Sequence, residues 1–327
     1  RGPEAEVRLT RKVPSKLGQE EFLRLSVGQV GEELVGTPLP RGAGLITSLT
    51  RAQGMARIPA ESEGKQAGEV LRTELLVPRN EMERVLVCVG SHDNTIDLLA
   101  NELMGLESPL TLTSANVGSM GGLQAIRDGS AHMAGTHLFD PESGEYNFPF
   151  MDRIIGDVPV LVVNLAVRHQ GLLVARGNPL GIRGIEDLTR EDVRFINRQR
   201  GAGTRILLDD ALARHGFSPQ QISGYDQEEF THMAVAVNVK SGVADCGMGI
   251  YAAAKALDLD FVPFARERYD LVIPRAFEEE DRIRTLLDLI RQPELQARIR
   301  DLGGYETAWT GRIVRPGDGL PAAEPEK

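Results

Sequence analysis

The residues best suited to chemistry lie at positions 196–205, which read Ile-Asn-Arg-Gln-Arg-Gly-Ala-Gly-Thr-Arg. The pattern predicts a buried strand that ends in a glycine turn and leads into a helix over 206–214. Gly201 and Gly203 let backbone N–H groups approach a ligand, and a helix N-terminus presents unpaired N–H donors with partial positive charge. The segment also supplies a hydroxyl and three cations, which are Thr204, Arg198, Arg200 and Arg205. This combination is typical of an anion-binding site.

Two further loops follow predicted strands and precede predicted helices, which is where ligands bind in open α/β sheets. The loop at 90–95 offers Ser91, His92 and Asp93, although a Ser, Asp or Asn there is equally typical of an ordinary helix cap. The loop at 114–122 is rich in small residues that expose the backbone. Its candidate ligand-binding residues are Asn116, Gly118, Ser119 and Met120.

Other kinds of site find little support in the sequence. The glycine spacing is neither the dinucleotide G-x-G-x-x-G nor the phosphate-binding G-x-x-x-x-G-K-[ST] pattern. The six histidines form no i, i+4 pair and the two cysteines lack ligand spacing, so no metal ligand is assigned. Ser91, His92 and Asp93 are adjacent, and because successive side chains diverge they are poorly placed for a nucleophilic triad. No catalytic residue and no cofactor is therefore predicted.

Charge, apolar runs and the N-terminal pattern limit which partners and which cellular compartment the sequence predicts. The 327 residues carry a net charge of −10 without any run of Lys or Arg, which argues against nucleic-acid binding. No apolar stretch approaches the roughly 18 to 20 residues of a membrane span. The absence of a signal-peptide pattern predicts a cytoplasmic protein, and the start without Met predicts a piece of a longer one. An anionic ligand would be held by local donors.

The elements that must position these residues divide into two domains. Residues 1–79 show short alternating strands at 7–10, 21–27 and 70–77, separated by turns rich in Gly and Pro at 37–44 and 60–68. They predict a small β-barrel. Residues 84–315 alternate strand and helix patterns, which predicts an α/β domain with mostly parallel strands.

Two long predicted strands, near 160–175 and 268–274, bracket a complete α/β segment. This arrangement predicts two lobes with a ligand cleft between them. Lobe one would comprise 84–163 and 272–315, and lobe two 164–271. Residues 316–327 are predicted to form a flexible tail.

Six segments carry a family resemblance, at 90–93, 118–126, 134–138, 197–205, 241–247 and 269–274. In combination they resemble the cytoplasmic version of the periplasmic-binding-protein-like fold, in the type II branch of molybdate and tungstate binders. The resemblance implies a two-lobed domain that binds an oxyanion through backbone N–H groups and hydroxyls. The hydroxyls would be those of Ser91, Ser119 and Thr204.

A second resemblance covers residues 1–79 and rests on 11–18 with 21–24, 38–44 before Ser48-Leu49, and 54–59 with Glu63-Gly64. These segments resemble the C-terminal β-barrel domain of molybdopterin molybdenumtransferase. That family's catalytic domain would lie upstream, so the resemblance implies a fragment that is not active alone. Mg and molybdopterin would belong to that upstream domain, which would be a partner of this chain. A homodimer would form through the parent protein.

Together the resemblances imply an oxyanion-binding module that captures or senses molybdate or tungstate for metal insertion into molybdopterin. The alternative is a regulatory or scaffolding module that binds a small organic, pterin-like ligand. Asp93, His92 and Tyr146 would then contact the ligand, because a carboxylate repels a bare oxyanion. A small pocket ringed by donors would favour the anion, and one of several hundred cubic ångströms the organic ligand.

Overall fold

The computed structural model describes residues 2–40 and 52–323. Part of the predicted turn at 37–44, the Ser48-Leu49 motif and the last four residues of the predicted tail lie outside the described residues. The chain forms two compact units. The first comprises Arg1–Gly135, Ile154–Leu161 and Val272–Leu287, and the second comprises Thr136–Arg153, Val162–Leu271 and Asp288–Lys327.

The described residues of the first unit begin with seven strands. They are β1 (Glu4–Leu9), β2 (Val13–Pro14), β3 (Glu21–Val30), β4 (Glu33–Pro38), β5 (Gly54–Ile58), β6 (Gly64–Lys65) and β7 (Val70–Leu75). Five of them close into a barrel in the order β1-β4-β3-β5-β7. The two-residue alternation of β1 and β3 turns Val7, Leu9, Leu23 and Leu25 into the barrel core. The predicted small barrel is confirmed.

An α/β layer completes the first unit. Residues 78–81 are predicted from the sequence to be a linker, but a short 3-10 helix at Arg79–Arg84 lies there, and its Met82 is buried in the barrel core. The elements that follow are β8 (Val85–Gly90), α1 (Asn94–Met104), β9 (Thr111–Asn116), α2 (Gly118–Arg127) and β10 (Ala134–Thr136). β8 and β9 are parallel neighbours, so their carboxyl ends place the two loops at 90–93 and 116–118 at one edge.

The barrel and the α/β layer of the first unit pack directly against each other. At Gly28 a Cβ atom would lie 2.7 Å from Val87 Cγ2, so β3 approaches β8 as closely as glycine permits. The carbonyl oxygen of Gln29 accepts hydrogen bonds from His132 Nε2 and Arg282 Nη2, each at 2.9 Å. His132 Nδ1 in turn accepts from the backbone N–H of Val87 at 2.9 Å. These bonds fix the end of β3 to the α/β layer.

The later elements are α3 (Phe148–Ile154), β11 (Val160–Val174), β12 (Phe195–Arg198), α4 (Gly203–Arg214), β13 (Glu228–Glu229), α5 (His232–Lys240), β14 (Cys246–Ile250), α6 (Tyr251–Ala256), β15 (Asp260–Pro274), α7 (Asp281–Arg291), α8 (Pro293–Leu302) and β16 (Tyr305–Glu306). In the second unit the strand order is β15-β11-β14-β12-β13, and β16 pairs with β11. β12 runs parallel to both β13 and β14, which sets its carboxyl end beside the start of α4. The apolar core between sheet and helices includes Leu172, Phe195, Leu208, Leu212 and Met248.

Several elements differ from what the sequence predicts. The periodicity over 228–241 predicts one helix, but the helix starts at His232, because Thr231 caps it and Glu228–Glu229 pair with β12 instead. The apolar run at 261–264 predicts a strand separate from that at 268–274, but both belong to the single strand β15. The expected tail at 316–327 is held at Gly319, whose carbonyl accepts from Arg268 Nη1 at 2.6 Å.

The boundaries of the two units also differ from those of the predicted lobes. Residues 136–153 and 288–315 group with the second unit. The first range is held by Asn147, whose Nδ2 donates to Asp270 at 2.8 Å, and the second by the pairing of β16 with β11. None of the described helices is long and apolar enough to cross a membrane.

Candidate functional site

The glycine turn predicted at 201–203 connects β12 to α4. Gly201 has φ +84°, a left-handed conformation that favours glycine, and no described atom lies within 4 Å of the place where a Cβ would be. Gly203 is different, because a Cβ there would lie 2.3 Å from His137 Nδ1. The helix therefore begins directly against the His137 ring. Among the described residues no side chain caps this N-terminus, so its first N–H groups remain directed outward.

Arg198, the last residue of β12, is a buried cation. Its side chain is 2% exposed, and Nη2 donates to the carbonyl of Phe230 at 3.1 Å. Nε and Nη1 are buried and have no hydrogen-bond partner within the described part of the chain. Burial lowers the pKa of Arg198 to about 10, and the nearby Arg168 acts in the same direction. Two guanidinium donors are thus available to an anion.

A second buried group lies beside Arg198 and centres on Glu267 of β15. Its carboxylate accepts from Arg168 Nε at 2.7 Å, His137 Nδ1 at 2.7 Å and Gln170 Nε2 at 2.5 Å. Burial alone would raise the pKa of Glu267, but Arg168 and His137 lower it to about 2. The carboxylate is therefore ionised and neutralises Arg168.

Thr204 joins the glycine turn to this group. The side chain is fully buried, and its hydroxyl oxygen accepts from Gln170 Nε2 at 3.1 Å. The hydroxyl hydrogen stays available as a donor. Thr204 and Arg198 therefore lie together in the second unit, as the sequence segment required.

The other two arginines of the segment are engaged elsewhere. Arg205 donates to the carbonyl of Arg198 and to Glu228 at 3.1 Å each, and its guanidinium stacks on the Tyr225 ring at 4.1 Å. Arg200 is 78% exposed and pairs loosely with Asp226 at 3.5 Å. Arg205 supports the strand end that carries Arg198, and Arg200 lies at the surface.

In the first unit, the loop after β8 is organised as a helix cap. Asp93 is buried and accepts from the Thr95 backbone N–H at 2.9 Å and from the Thr95 hydroxyl at 2.6 Å. His92 pairs with Asp97 at 3.0 Å. Ser91 is buried, and its backbone N–H donates to the carbonyl of Gly135 at 2.9 Å. The carboxylate at 93, which would oppose an anion, thus serves the start of α1.

The loop after β9 presents a second helix N-terminus in the first unit. Gly118 has φ +80°, and no described side chain caps α2. Ser119 is fully buried, while Asn116 and Met120 are half-buried. Tyr146, proposed as a contact of an organic ligand, belongs to the second unit and donates its hydroxyl to the carbonyl of Arg266 at 3.0 Å.

Sequence reasoning missed part of the polar cluster in the second unit. Arg168, Gln170 and Glu267 were not singled out, although each interrupts an otherwise apolar stretch of a long strand. Polar residues inside such a strand are the signal that points to them, since buried polar groups need partners. Over residues 2–40 and 52–323, no group of three or more His, Cys, Asp or Glu side chains could hold a metal ion.

Comparison with known proteins places the chain in a family. The family model described as "PBP superfamily domain" matches residues 100–291, more than half of the chain. The chain belongs to the PBP superfamily domain family. A second model, described as the MoeA C-terminal region (domain IV), matches residues 6–76, which contain the barrel. The predicted family and fold class are confirmed.

Relatives of this PBP superfamily domain protein include the uncharacterized protein YvgK of Bacillus subtilis, which is 35% identical over 230 residues. The match covers 70% of this chain and 73% of YvgK. An uncharacterized protein from the 5′ region of a 2Fe-2S ferredoxin gene of Clostridium pasteurianum is 36% identical over 110 residues, or 33% of this chain and 97% of that protein. A Clostridium perfringens substrate-binding protein assigned to a phosphate ABC transporter, solved with bound phosphate, has a TM-score of 0.52 and 13% identity. It matches over 67% of this chain and 97% of its own. That likeness shows a substrate-binding-protein fold.

Proposed function

We propose that the chain binds a tetrahedral oxyanion of the molybdate or tungstate type at the end of β12 and the start of α4. The observation that carries this proposal is Arg198, a buried cation whose Nε and Nη1 have no partner among the described residues. A buried charge without a counter-charge is costly, so such groups are paired or bind a ligand. Anionic ligand oxygens at these donors would satisfy them.

The contacts of Arg198 support an anionic ligand. The nearby Glu267 is ionised and is bonded to Arg168 at 2.7 Å. Within the described residues, Arg198 itself donates only to the carbonyl of Phe230 and to no carboxylate. The start of α4 adds partial positive charge without a described capping side chain, and Thr204 adds a hydroxyl donor. All of these groups donate hydrogen bonds, which suits an oxyanion.

The donor set favours a ligand with several acceptor oxygens. Nε and Nη1 of Arg198 lie on different edges of the guanidinium plane, because Nη1 is on the side of Cδ, so each can donate to a separate ligand oxygen. The barrel match to the MoeA C-terminal region supports molybdate or tungstate over other anions of this shape. We propose that the module captures or senses this anion for a molybdopterin-metal-inserting parent protein, with Mg and molybdopterin bound by upstream domains.

The loops of the first unit are proposed, independently of that site, to present anion donors of their own. The start of α2 has no described capping side chain, and Ser119 lies in its first turn. Ser91 stays a proposed contact through its hydroxyl. Asp93 is not proposed as an anion contact, because its carboxylate accepts twice from Thr95.

Calorimetric titration of the whole chain with molybdate, tungstate, sulfate and phosphate tests this function. We expect saturable binding of molybdate or tungstate, and we expect R198Q to weaken it by about 30-fold or more, since removing one side of a buried charge pair costs about 2 kcal/mol or more. R200Q is the matched control, because Arg200 is an exposed arginine two residues away. Absence of binding of all four anions, or equal losses in both variants, contradicts the proposal.

One observation keeps the organic-ligand alternative open to test. A cavity of about 480 Å³ lies beside the turn, lined by Arg200, Gly201, Arg205 and Tyr225 among others. This volume lies within the range of small-molecule sites. A pterin carboxylic acid that binds saturably while tungstate does not would favour this alternative.

A further inference from the structure

Gln170 of β11 is a buried amide whose two ends differ in their contacts. The side chain is fully buried. Its Nε2 donates to Glu267 Oε2 at 2.5 Å and to the hydroxyl oxygen of Thr204 at 3.1 Å. An amide nitrogen carries two hydrogens, so both are used. Oε1 of the same amide is buried and has no hydrogen-bond partner among the residues that the structure describes.

Glu267 determines which end of the Gln170 amide is the unpaired one. Although burial raises the pKa of Glu267, nearby Arg168 lowers it, to about 2, so the carboxylate is ionised near neutral pH and can only accept. Exchanging Nε2 and Oε1 would place an amide oxygen against a carboxylate oxygen with no hydrogen between them. The unpaired end of Gln170 is therefore an acceptor. A buried acceptor without a donor is costly, which calls for a partner from outside the described chain.

This unpaired acceptor lies beside the donors of the proposed oxyanion site. The Gln170 amide contacts Thr204 in the first turn of α4. Burial lowers the pKa of Arg198 and Glu267 opposes this effect, so the charges of Arg198 and Glu267 lie close enough to interact. Arg198 Nε and Nη1 and the Thr204 hydroxyl can donate, whereas Gln170 Oε1 can only accept. A ligand that matches all of these groups has several acceptor oxygens and one hydrogen-bond donor.

We propose that Gln170 Oε1 selects oxyanions that bind with one hydroxyl group, whose hydrogen is donated to this oxygen. The inference rests on the proposed function and narrows the ligand to singly protonated tetrahedral oxyanions. A fully deprotonated anion places an acceptor oxygen against Oε1, whereas a hydroxyl group forms a hydrogen bond there. Molybdate and tungstate meet the requirement with one proton on a ligand oxygen, taken from solvent. No covalent bond of the protein forms or breaks.

Two anions of equal charge and similar shape test this role on the unmodified chain. Monohydrogen arsenate and selenate are both tetrahedral dianions, but in mildly alkaline solution only arsenate carries a hydroxyl group. The charged groups around the Gln170 amide act alike on two ligands of equal charge, and they are Glu267, His137, Arg168 and Arg198. Titration calorimetry should show arsenate binding about 30-fold or more tightly than selenate. A site that hydrogen-bonds a ligand hydroxyl rejects an analogue that lacks it.

The variants Q170M and Q170E separate the acceptor from the bulk of the side chain. Met is similar in length and has no oxygen, so Q170M should lose most of the preference for arsenate. In Q170E a carboxyl group beside the ionised Glu267 shares a proton with it, so an oxygen still accepts and the preference should be kept. Q227M is the matched control, because Gln227 is an exposed glutamine of the same unit, and it should behave like the unmodified chain.

The outcomes separate this inference from the proposed function. Equal affinities for arsenate and selenate in the unmodified chain, or tighter binding of selenate, overturn the role of Gln170 and leave oxyanion binding intact. Tungstate binding without arsenate binding at millimolar concentration does the same. A preference that persists in Q170M, or is lost equally in Q170E, also overturns the assignment. Failure of every oxyanion to bind overturns the proposed function and with it this inference. The comparison of the two anions needs no variant, so it decides the point even if Q170M fails to fold.

Discussion

At the scale of single residues, the two glycines of the turn are required for different physical reasons. Gly201 is needed for its left-handed backbone at φ +84°, while the space around it is open in the described structure. Gly203 is needed because the His137 ring occupies the place of a side chain. The sequence predicted both as ligand-approach glycines. The contact with His137 shows that Gly203 has a packing role whatever the ligand.

The substitutions G201A and G203A separate these reasons. G201A should lower the free energy of unfolding by about 1 kcal/mol, the cost of a Cβ in the left-handed region. G203A should cost about 1–3 kcal/mol through overpacking, and it should also weaken oxyanion binding, because His137 and the helix start must move apart. Denaturant unfolding and calorimetry measure the two effects. A G203A protein as stable as the unmodified chain would contradict this account of the turn.

The candidate site contains residues that the sequence pattern could predict and residues that it could not. Arg198 and Thr204 were predictable because the glycine turn, the helix start and the arginine occur within one short segment. Arg168 and Glu267 are 99 positions apart and are brought together only by the neighbouring strands β11 and β15. Their pairing depends on strand order, which local periodicity does not specify. The ion pair therefore had to come from the structure.

At the scale of elements, α1 shows that a polar loop at the end of a strand can serve a helix rather than a ligand. Asp93 has an extended backbone, with φ −147° and ψ 150°, and its carboxylate accepts from the backbone N–H of Thr95. This is the geometry of a helix N-cap. The partial positive charge at the start of α1 thereby stabilises the negative charge of Asp93.

The variants D93A and D93N test the cap. D93A should destabilise the chain by about 0.5–2 kcal/mol, the usual cost of losing a cap, whereas Asn can still accept from Thr95 and should cost less. Thermal or denaturant unfolding gives the order. If D93N were as destabilising as D93A, the cap would not be the main contribution of this side chain to stability.

Most helices and strands were predictable from periodicity, and the failures have local causes. The sequence predicts helices at 94–103, 119–128 and 293–302, and α1, α2 and α8 lie within one residue of these limits. The first two follow a clear strand, and the third begins with Pro. The pair Glu228–Glu229 was assigned to a helix since it continues the pattern of α5, but its pairing with Asn197 and Arg198 holds it extended. Such a two-residue strand depends on its partner, which the sequence alone does not place.

At the scale of the whole molecule, the barrel is part of the first compact unit. Arg282 at the start of α7 donates to the carbonyls of Glu83 at 3.1 Å and of Val85 and Gln29 at 2.9 Å each. It thus ties the barrel strand β3, the short helix and β8 together. We expect barrel and α/β layer of this unit to unfold in one transition.

The variant R282M should break that coupling. Loss of a charged donor leaves three carbonyls without it, at a cost of about 1–3 kcal/mol, and the barrel should then melt separately from the α/β layer. R284M on the same helix is the control, because Arg284 is 54% exposed and should change stability little. Hydrogen exchange of β3 and β8 amides follows the two parts. If the amides of β3 and β8 still exchanged together in R282M, apolar packing at Gly28 would be sufficient to couple the barrel to the α/β layer.

The contact between the barrel and the α/β layer, here called the junction, also determines how the stability of the chain responds to acid. Burial, with a contribution from Arg282, lowers the pKa of His132 from 6.5 to about 3. Between these values the unfolded chain binds a proton that the folded chain excludes, so stability falls as pH decreases through this window, by about 1.4 kcal/mol per pH unit for one group. The lowered pKa of His137 adds an effect of the same sign.

H132Q should be less stable at neutral pH, having lost one of its two junction bonds, but its stability should decline less steeply below about pH 6. H215Q is the control substitution, because it removes a histidine whose side chain is 47% exposed. Denaturant unfolding over a pH series measures both slopes, and parallel profiles for H132Q and the unmodified chain would remove His132 as the acid-sensitive group of the junction.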